Sequence, residues 1–477
     1  MRQLFQQQLT LTSTTPSELI GRYLTRDDID KLILGLNGIF ENKKLRNVIV
    51  NKIKDSMHLP SNIGREGMDY WKIFVLGVIR VALDIDYDRL QNLMNNHIGL
   101  RRLVGHGDFD NHKQYSLTAV KENIALLTPE LLDEINTEIV QYGRKIIHPY
   151  STNTTISCRA DSYVSKTNVH FPTDVSLLND AVQKIIEMIG RACKANDVKG
   201  FRQYKYNRNQ LKKIMRRVGN IKKGKSNNDI AVKNIHQSYI DFATELLRKS
   251  QDQLSRLSAQ GIFVLQQKEI TYYQSCAIKL IDQIERRVIN EEVIPHNEKI
   301  FSIFEPHTEW VSKGKNGVPV ELGLKITIVQ DQHQFILHHH VMEKEQDVDV
   351  AVKVTEAVRE KYGDIDSISF DRGYWSPENE DALATIVRKV VMPKKGYRSN
   401  ERREIEDEKE FKKLKNKHSA VESGINCLQV HGLEKVPDHG VNAYKRYVAL
   451  GVVGYNVHHI GSIILEKHYA VERKKTA

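Results

Sequence analysis

Apolar positions along the chain change period twice. They recur at helical spacing over Asp27 to Asn51, Met68 to Leu83, Tyr87 to Asn95 and Leu117 to Leu127, which predicts a helical region before residue 148. Thr128-Pro129-Glu130 reads as an N-cap, a proline at the first helical position and an early acid, opening a helix to about Gln141. After Pro149 the period drops to two. Ile156, Cys158 and Ala160 alternate with Ser157, Arg159 and Asp161, the pattern of a strand with one apolar and one polar face. Between Thr173 and Ile294 there is no proline, and helical spacing returns over Asn234 to Leu257 and Ile270 to Val288, so a helical insertion is expected there. Extended patterns resume at Lys299 to Phe304, Val320 to Val329 and Phe335 to Met342, followed by a helix near Val348 to Lys361. A strand at Ile365 to Phe370, a helix capped by Ser376 to about Val387, and a short buried strand at Val390 to Met392 come next. Helices at about Lys412 to His431 and Asn442 to Ile464 close the pattern, with a charged low-complexity patch over Arg402 to Lys417.

The expected fold class is therefore α/β, a mixed sheet with flanking helices plus a helical N-terminal domain and an all-helical insertion. Five segments follow: 1–148, helical; 152–174, the first part of the sheet domain; 175–298, the insertion; 299–436, the rest of the sheet domain; and 437–477, a C-terminal helical segment. The 40% hydrophobic and 27% charged content of the 477 residues excludes a disordered, collagenous or disulfide-dense chain. The longest apolar runs, Ile73 to Ile79 and Tyr447 to Tyr455, fall short of the roughly 20 residues a membrane span needs, so no span is expected. The first eight residues lack the apolar core of a signal peptide, and the four cysteines stand far apart with no Cys-x-x-Cys, which fits a reducing cytoplasmic location.

Charge sharpens the picture. The formal net charge is +11, yet thirteen basic residues and one acid fall between Arg191 and Lys225, leaving 58 basic and 59 acidic residues elsewhere. The excess belongs to one 35-residue stretch, interleaved with Phe201, Tyr204 and Tyr206. Lysines and arginines neutralise phosphates and release counterions, and aromatics stack on unpaired bases, so Arg202, Lys205, Arg208, Lys212, Lys213, Arg216, Arg217, Lys222 and Lys223 are candidate DNA contacts. An unused solvated helix face is the alternative.

Three carboxylates carry the candidate chemistry: Asp161 on the polar face of the first strand, Asp371 at the end of a later strand, and Glu422 on a late helix. On that helix Val421, Ile425 and Leu428 form an apolar stripe, and His418, Glu422, Asn426 and Gln429 a polar one about 100° round the axis. Converging carboxylates repel unless a cation neutralises them, and hard oxygen ligands suit Mg²⁺ or Mn²⁺. Two such ions about 4 Å apart activate a water or a 3′-hydroxyl and stabilise the leaving oxygen of a phosphodiester. Trp375, just after Asp371, is a candidate for stacking on an extruded base, and Lys394, Lys395 and Arg398 for gripping phosphates. His170 and Asp174 are candidates for orienting ligands around Asp161. His338-His339-His340 reads as sheet surface, because strand neighbours point to opposite faces.

Several separated motifs resemble the DDE transposases of bacterial insertion sequences, specifically the ISNCY group: Asp161-Ser162-Tyr163 with Asn168 to Asp174, Asp371-Arg372-Gly373-Tyr374, and His418 to Ile425. Gly64 to Met68, Tyr87 to Leu90, Ile303 to Trp310 and Lys445 to Leu450 also resemble that group, so the likeness covers most of the chain. The resemblance implies a ribonuclease-H-like catalytic domain whose metal-binding triad is Asp161, Asp371 and Glu422, with the helical insertion between its first and second strands. It implies cleavage at terminal inverted repeats and strand transfer into target DNA with two Mg²⁺ or Mn²⁺ ions, by a homodimer or larger synaptic assembly in the bacterial nucleoid, with no membrane partner. Related hairpin-forming enzymes carry Tyr, Arg and Lys at positions here held by Lys415, His418 and Gln429, so the excision route stays open; Lys415 and His418 remain candidate phosphate contacts. A catalytically silent DNA-binding derivative and a metal-dependent nuclease without strand transfer are the alternatives. Neutralising the basic residues from Arg202 to Lys225 is expected to flatten the salt dependence of DNA affinity in a binding titration; an unchanged slope would exclude phosphate contacts by this stretch.

Overall fold

A computed structural model describes residues 2–5, 28–57, 67–107, 112–149, 155–199, 201, 203–221, 229–261, 266–312 and 320–476. Arg202, Lys222, Lys223 and most of the Gly64 to Met68 motif lie outside them. The chain divides into two compact units, one of Met1–Asn168 with Val311–Ala477 and one of Val169–Trp310.

In the first unit, α1 (Asp28–Glu41), α2 (Lys43–Ser56), α3 (Tyr70–Ala82), α4 (Tyr87–Asn96), α5 (Ile98–Leu103), α6 (Leu117–Ile124) and α7 (Pro129–Ile147) precede the sheet. The single helix expected over Asp27 to Asn51 is two. Asn42 breaks it, its side chain accepting the Leu45 amide at 3.1 Å and so capping α2. Thr128 caps α7 as its sequence predicts, and the helix runs on to Ile147.

The sheet is mixed and seven-stranded among the described residues. Its strands are β1 (Ile156–Thr167), β2 (Glu309–Ser312), β3 (Val320–Asp331), β4 (Ile336–Met342), β5 (Ile365–Phe370), β6 (Lys389–Val391) and β7 (Lys435–Val436). The order is β2-β3-β1-β5-β6, with β4 on β3 and β7 on β1. β3 runs antiparallel to β1 and β4, whereas β1, β5 and β6 are parallel. Ile156, Cys158 and Ala160 are buried, as the period-two pattern of β1 requires. The connecting helices are α12 (Asp347–Tyr362), α13 (Pro377–Ile386), α14 (Asn400–Asp407), α15 (Lys409–His418), α16 (Ala420–Leu428) and α17 (Val441–Thr476).

One expectation changes in this region. The continuous helix expected from Lys412 to His431 is divided at Ser419 into α15 and α16 and ends in a widened turn, Gln429–Leu433. The charged Arg402 to Lys417 patch lies on α14 and α15 with most of its charges exposed. Arg402 and Glu406 are buried one turn apart and bonded at 3.1 Å, a pairing in which each offsets the other's desolvation.

α17 is the one described helix long and apolar enough to cross a membrane, where the interrupted apolar runs predict none; 61% of its most apolar stretch is buried inside the protein. Asn456, fully buried, donates to Asn136 Oδ1 at 2.7 Å and to the Ile336 carbonyl at 2.9 Å, while its own oxygen accepts the Ile336 amide at 3.0 Å. The edge of β4 is thus closed by side chains from α17 and α7. Helices α1 and α17 touch at backbone distance, since a Cβ on Gly35 would stand 2.1 Å from the Val457 carbonyl oxygen.

The second unit has its own apolar core, built by α8 (Asp174–Ala195), α9 (Tyr204–Ile221), α10 (Asp229–Ala259) and α11 (Gln267–Ile284). Thr173 and Ser176 form a reciprocal cap at the start of α8. Lys299 to Phe304 is not the strand its pattern predicts. Ser302 Oγ accepts the amides of Phe304 and Glu305, a serine turn that takes the place of a ladder, and Ile303 is buried.

Replacing Asn456 with Leu strands the Ile336 amide and the Asn136 oxygen, both buried. A loss of about 2–4 kcal/mol is expected from the denaturant midpoint at unchanged m-value, and a change under about 0.5 kcal/mol would contradict this account of the β4 edge.

Candidate active site

Register places the first two carboxylates. The parallel pairing of β1 with β5 ends at Ala160 opposite Phe370, both buried, and Asp161 and Asp371 are the next residues on the two strands. Side chains alternate along a strand, so Asp161 leaves on the face opposite Ala160. β5 stops at Phe370, and a tight helical turn, Arg372–Tyr374, carries Asp371 to the sheet margin, where it is exposed. That turn is anchored: Tyr374 is buried with its hydroxyl 3.1 Å from Thr327 Oγ1, and Asn379 donates to the carbonyls of Tyr374 and Val348.

Glu422 arrives on α16, whose Val421, Ile425 and Leu428 are buried as their spacing predicts, while Glu422 and Asn426 are exposed. A glycine lets that helix lie close to the sheet. A Cβ at Gly424 would meet Gln330 Nε2 of β3 at 2.6 Å. His418, one turn before Glu422, is half-buried, and its Nδ1 lies 3.0 Å from Ser369 Oγ of β5. Burial lowers the pKa of His418, against the opposing pull of Asp371 and Glu422, and Arg159 of β1 lowers it further.

The carboxylates feel one another. Burial pushes the Asp161 carboxyl up to about 6, the Ser162 amide at 2.7 Å works against that rise, and the negative charges of Asp371, Asp347 and Glu422 add to it. Asp347 is a fourth acid that the sequence reading missed. It opens α12, accepting Ser162 Oγ at 2.6 Å and Lys325 Nζ at 3.0 Å. A run of acids at a helix start looks like ordinary dipole compensation, so no signal in the chain marks Asp347. A half-buried acid already pushed toward its neutral form by three negative neighbours suits a divalent cation, and the donors are hard oxygens fit for Mg²⁺ or Mn²⁺. Asp161, Asp371 and Glu422 would hold such a cation.

Trp375, Lys394 and the buried Arg402 form one network. Lys394 Nζ stands 5.1 Å over the Trp375 ring, Trp375 Nε1 donates to Glu380 at 3.2 Å, and Arg402 pairs with both Glu380 and Glu406. The Lys394 backbone and Arg398 also bond Glu406. Lys395 is exposed and Lys415 half-exposed. His170 and Asp174 belong to the second unit, where they pair with Asp180 at 3.6 Å and Arg287 at 2.9 Å. On β4, His338 faces Asp133 and Lys361, His340 faces Glu345, and His339 Nδ1 is buried without a hydrogen-bond partner, so the three do not converge on one ion.

The basic stretch is a surface of the second unit. α9 buries Leu211 and Val218 and exposes Lys205, Lys212, Lys213, Arg216 and Arg217, which make no ion pair among the described residues; Arg208 pairs with Glu187 at 3.0 Å. Its aromatics differ from the stacking expectation. Phe201 is in the core, Tyr204 packs on Gly190, and Tyr206 is exposed.

Comparison with protein-family models, curated proteins and solved structures finds no match.

The raised Asp161 carboxyl has a thermodynamic consequence. An ordinary aspartate in the unfolded chain ionises near pH 4, while the folded group keeps its proton to about 6, so this residue costs stability as pH rises through that window. In metal-free buffer Asp161→Asn is expected to be more stable than the parent by about 1–3 kcal/mol at pH 8 and equal to it at pH 4. Equal stabilities at pH 8 in paired denaturant titrations would contradict the crowding of acids at β1.

Proposed function

We propose that this chain is a metal-dependent DNA transposase of the insertion-sequence type, built on a ribonuclease-H-like catalytic core. The observation that carries the reading is the electrostatic union of Asp161, Asp371 and Glu422, borne by a central strand, by the end of its parallel neighbour and by a later helix. The mixed sheet and the helical unit between β1 and β3 support the same reading, as do the sequence motifs around the three acids.

Bound Mg²⁺ or Mn²⁺ would supply an activated water or 3′-hydroxyl and a charge partner for the leaving oxygen. Asp161 and Asp371, brought to neighbouring positions by the strand register, would hold the cations, and Glu422 would add a ligand from α16. Asp347, tied to Ser162 and Lys325, positions the β1 backbone beside Asp161. His418 is held against Ser369 through Nδ1 with its Nε2 buried, so it packs beside Asp371 and Glu422 rather than reaching out to DNA. Lys394, Lys395 and Lys415 add positive charge near the same strands. The exposed cations of α9 hold duplex DNA without reading its sequence. Pairing of two transposon ends calls for at least two copies of the chain, working in the bacterial cytoplasm on nucleoid DNA.

Single substitutions Asp161→Asn, Asp371→Asn and Glu422→Gln are expected to abolish Mg²⁺-dependent nicking at the element's ends and joining of a pre-cut 3′ end, while DNA affinity is retained. Activity kept in all three variants would overturn the proposal. Nicking without joining in the parent protein would reassign it as a nuclease.

A further inference from the structure

A second group of metal-ligating side chains lies in the same unit, on residues that the proposed chemistry does not use. Asp28 at the start of α1, His431 in the turn after α16 and His458 in the middle of α17 each bring one donor atom to within 4.8 Å of the others, the one such trio among the described residues. His458 Nε2 is 3.1 Å from Asp28 Oδ1. The rings of His431 and His458 lie 5.3 Å apart, inclined at 40°.

The tautomer of His431 follows from its partner. Its Nδ1 lies 3.1 Å from the Ala82 carbonyl oxygen, which only accepts, so Nδ1 carries the hydrogen and the neutral ring offers Nε2 as a lone pair. A ligating imidazole whose other nitrogen donates to a backbone carbonyl is the usual arrangement at metal centres. The backbone is shaped to deliver it. His431 leaves the helical region at φ −96° and ψ 45°, and Gly432 follows at φ +94°, where a Cβ would stand 2.8 Å from the Val81 carbonyl oxygen.

The Asp28–His458 hydrogen bond uses the one proton between those two groups. It leaves the lone pair of His431 directed at a carboxylate with nothing positive between them. A cation at the centre resolves that contact. Lys31, 3.5 Å from Asp28 and partly exposed, sits on the flank of the trio and is free to swing away. All three residues are half-buried, so an ion from solvent reaches them.

We propose that Asp28, His431 and His458 form a zinc site. Two imidazole nitrogens and one carboxylate oxygen suit Zn²⁺, with water in the fourth position. The site ties α1 and α17 to the segment that follows the Glu422 helix, and its role is structural. It is independent of the transposase reading, because none of its ligands belongs to the acidic site.

The test uses the full-length protein stripped with EDTA, titrated calorimetrically with Zn²⁺ alone and followed optically with Co²⁺. The expected result is one equivalent of tight Zn²⁺, a higher melting temperature, and the intense visible bands of four-coordinate Co²⁺. His431→Ala and Asp28→Asn are expected to weaken Zn²⁺ binding by at least the roughly 10–100-fold that loss of even an outer-shell partner costs. Asp161→Asn with Asp371→Asn is expected to leave it unchanged. Asp28→Asn keeps a hydrogen-bond acceptor for His458, so it remains informative if the histidine variant fails to fold. No Zn²⁺ uptake by the parent chain, or uptake undiminished in Asp28→Asn, would overturn the site.

Discussion

A carboxylate on a central strand is the constraint around which the first unit is organised. β1 is hydrogen-bonded to β3 and β5 and meets β7 at its far end, so whatever it carries is partly withdrawn from water. Asp161 sits on that strand, and burial works against its ionisation. The surroundings intensify the conflict, since Asp371, Asp347 and Glu422 all add negative charge. Natural cores tolerate such a group when a partner neutralises it, and here the partner that fits is a divalent cation.

The rest of the unit holds this arrangement in place. The register Ala160–Phe370 sets Asp161 beside Asp371, the buried Tyr374 fixes the turn after Asp371, and Gly424 admits α16 close enough for Glu422 to reach the same margin. Farther out, α17 runs through the core and spends its buried asparagine on the edge strand β4. Charge and chemistry are carried separately: the acids by the sheet unit, the excess of positive charge by the helical unit.

How far the sequence reveals these features depends on whether each is local. Period-two alternation over Ile156 to Ala160 and the Val421, Ile425, Leu428 stripe are local patterns, and both put their apolar residues where the structure buries them. The Thr128 and Ser376 caps are equally readable. Interruptions were hidden, because Asn42 and Ser419 sit inside apolar periods that continue on either side. Arg402 and Glu406 look like surface charge until Glu380 and the Met392 carbonyl are brought to them by the fold. Asp28 and His458 are 430 positions apart, and no spacing rule connects them.

The central claim is that Asp161, Asp371 and Glu422 together bind the ions that act on a DNA phosphate. The most direct measurement is a structure of the protein with the ends of its element and Ca²⁺, which binds such oxygen sites without supporting cleavage. The account predicts ion density coordinated by Asp161 and Asp371, with Glu422 in the same coordination shell and a DNA phosphate oxygen completing it. DNA bound elsewhere, with the three carboxylates apart and free of metal, would contradict it.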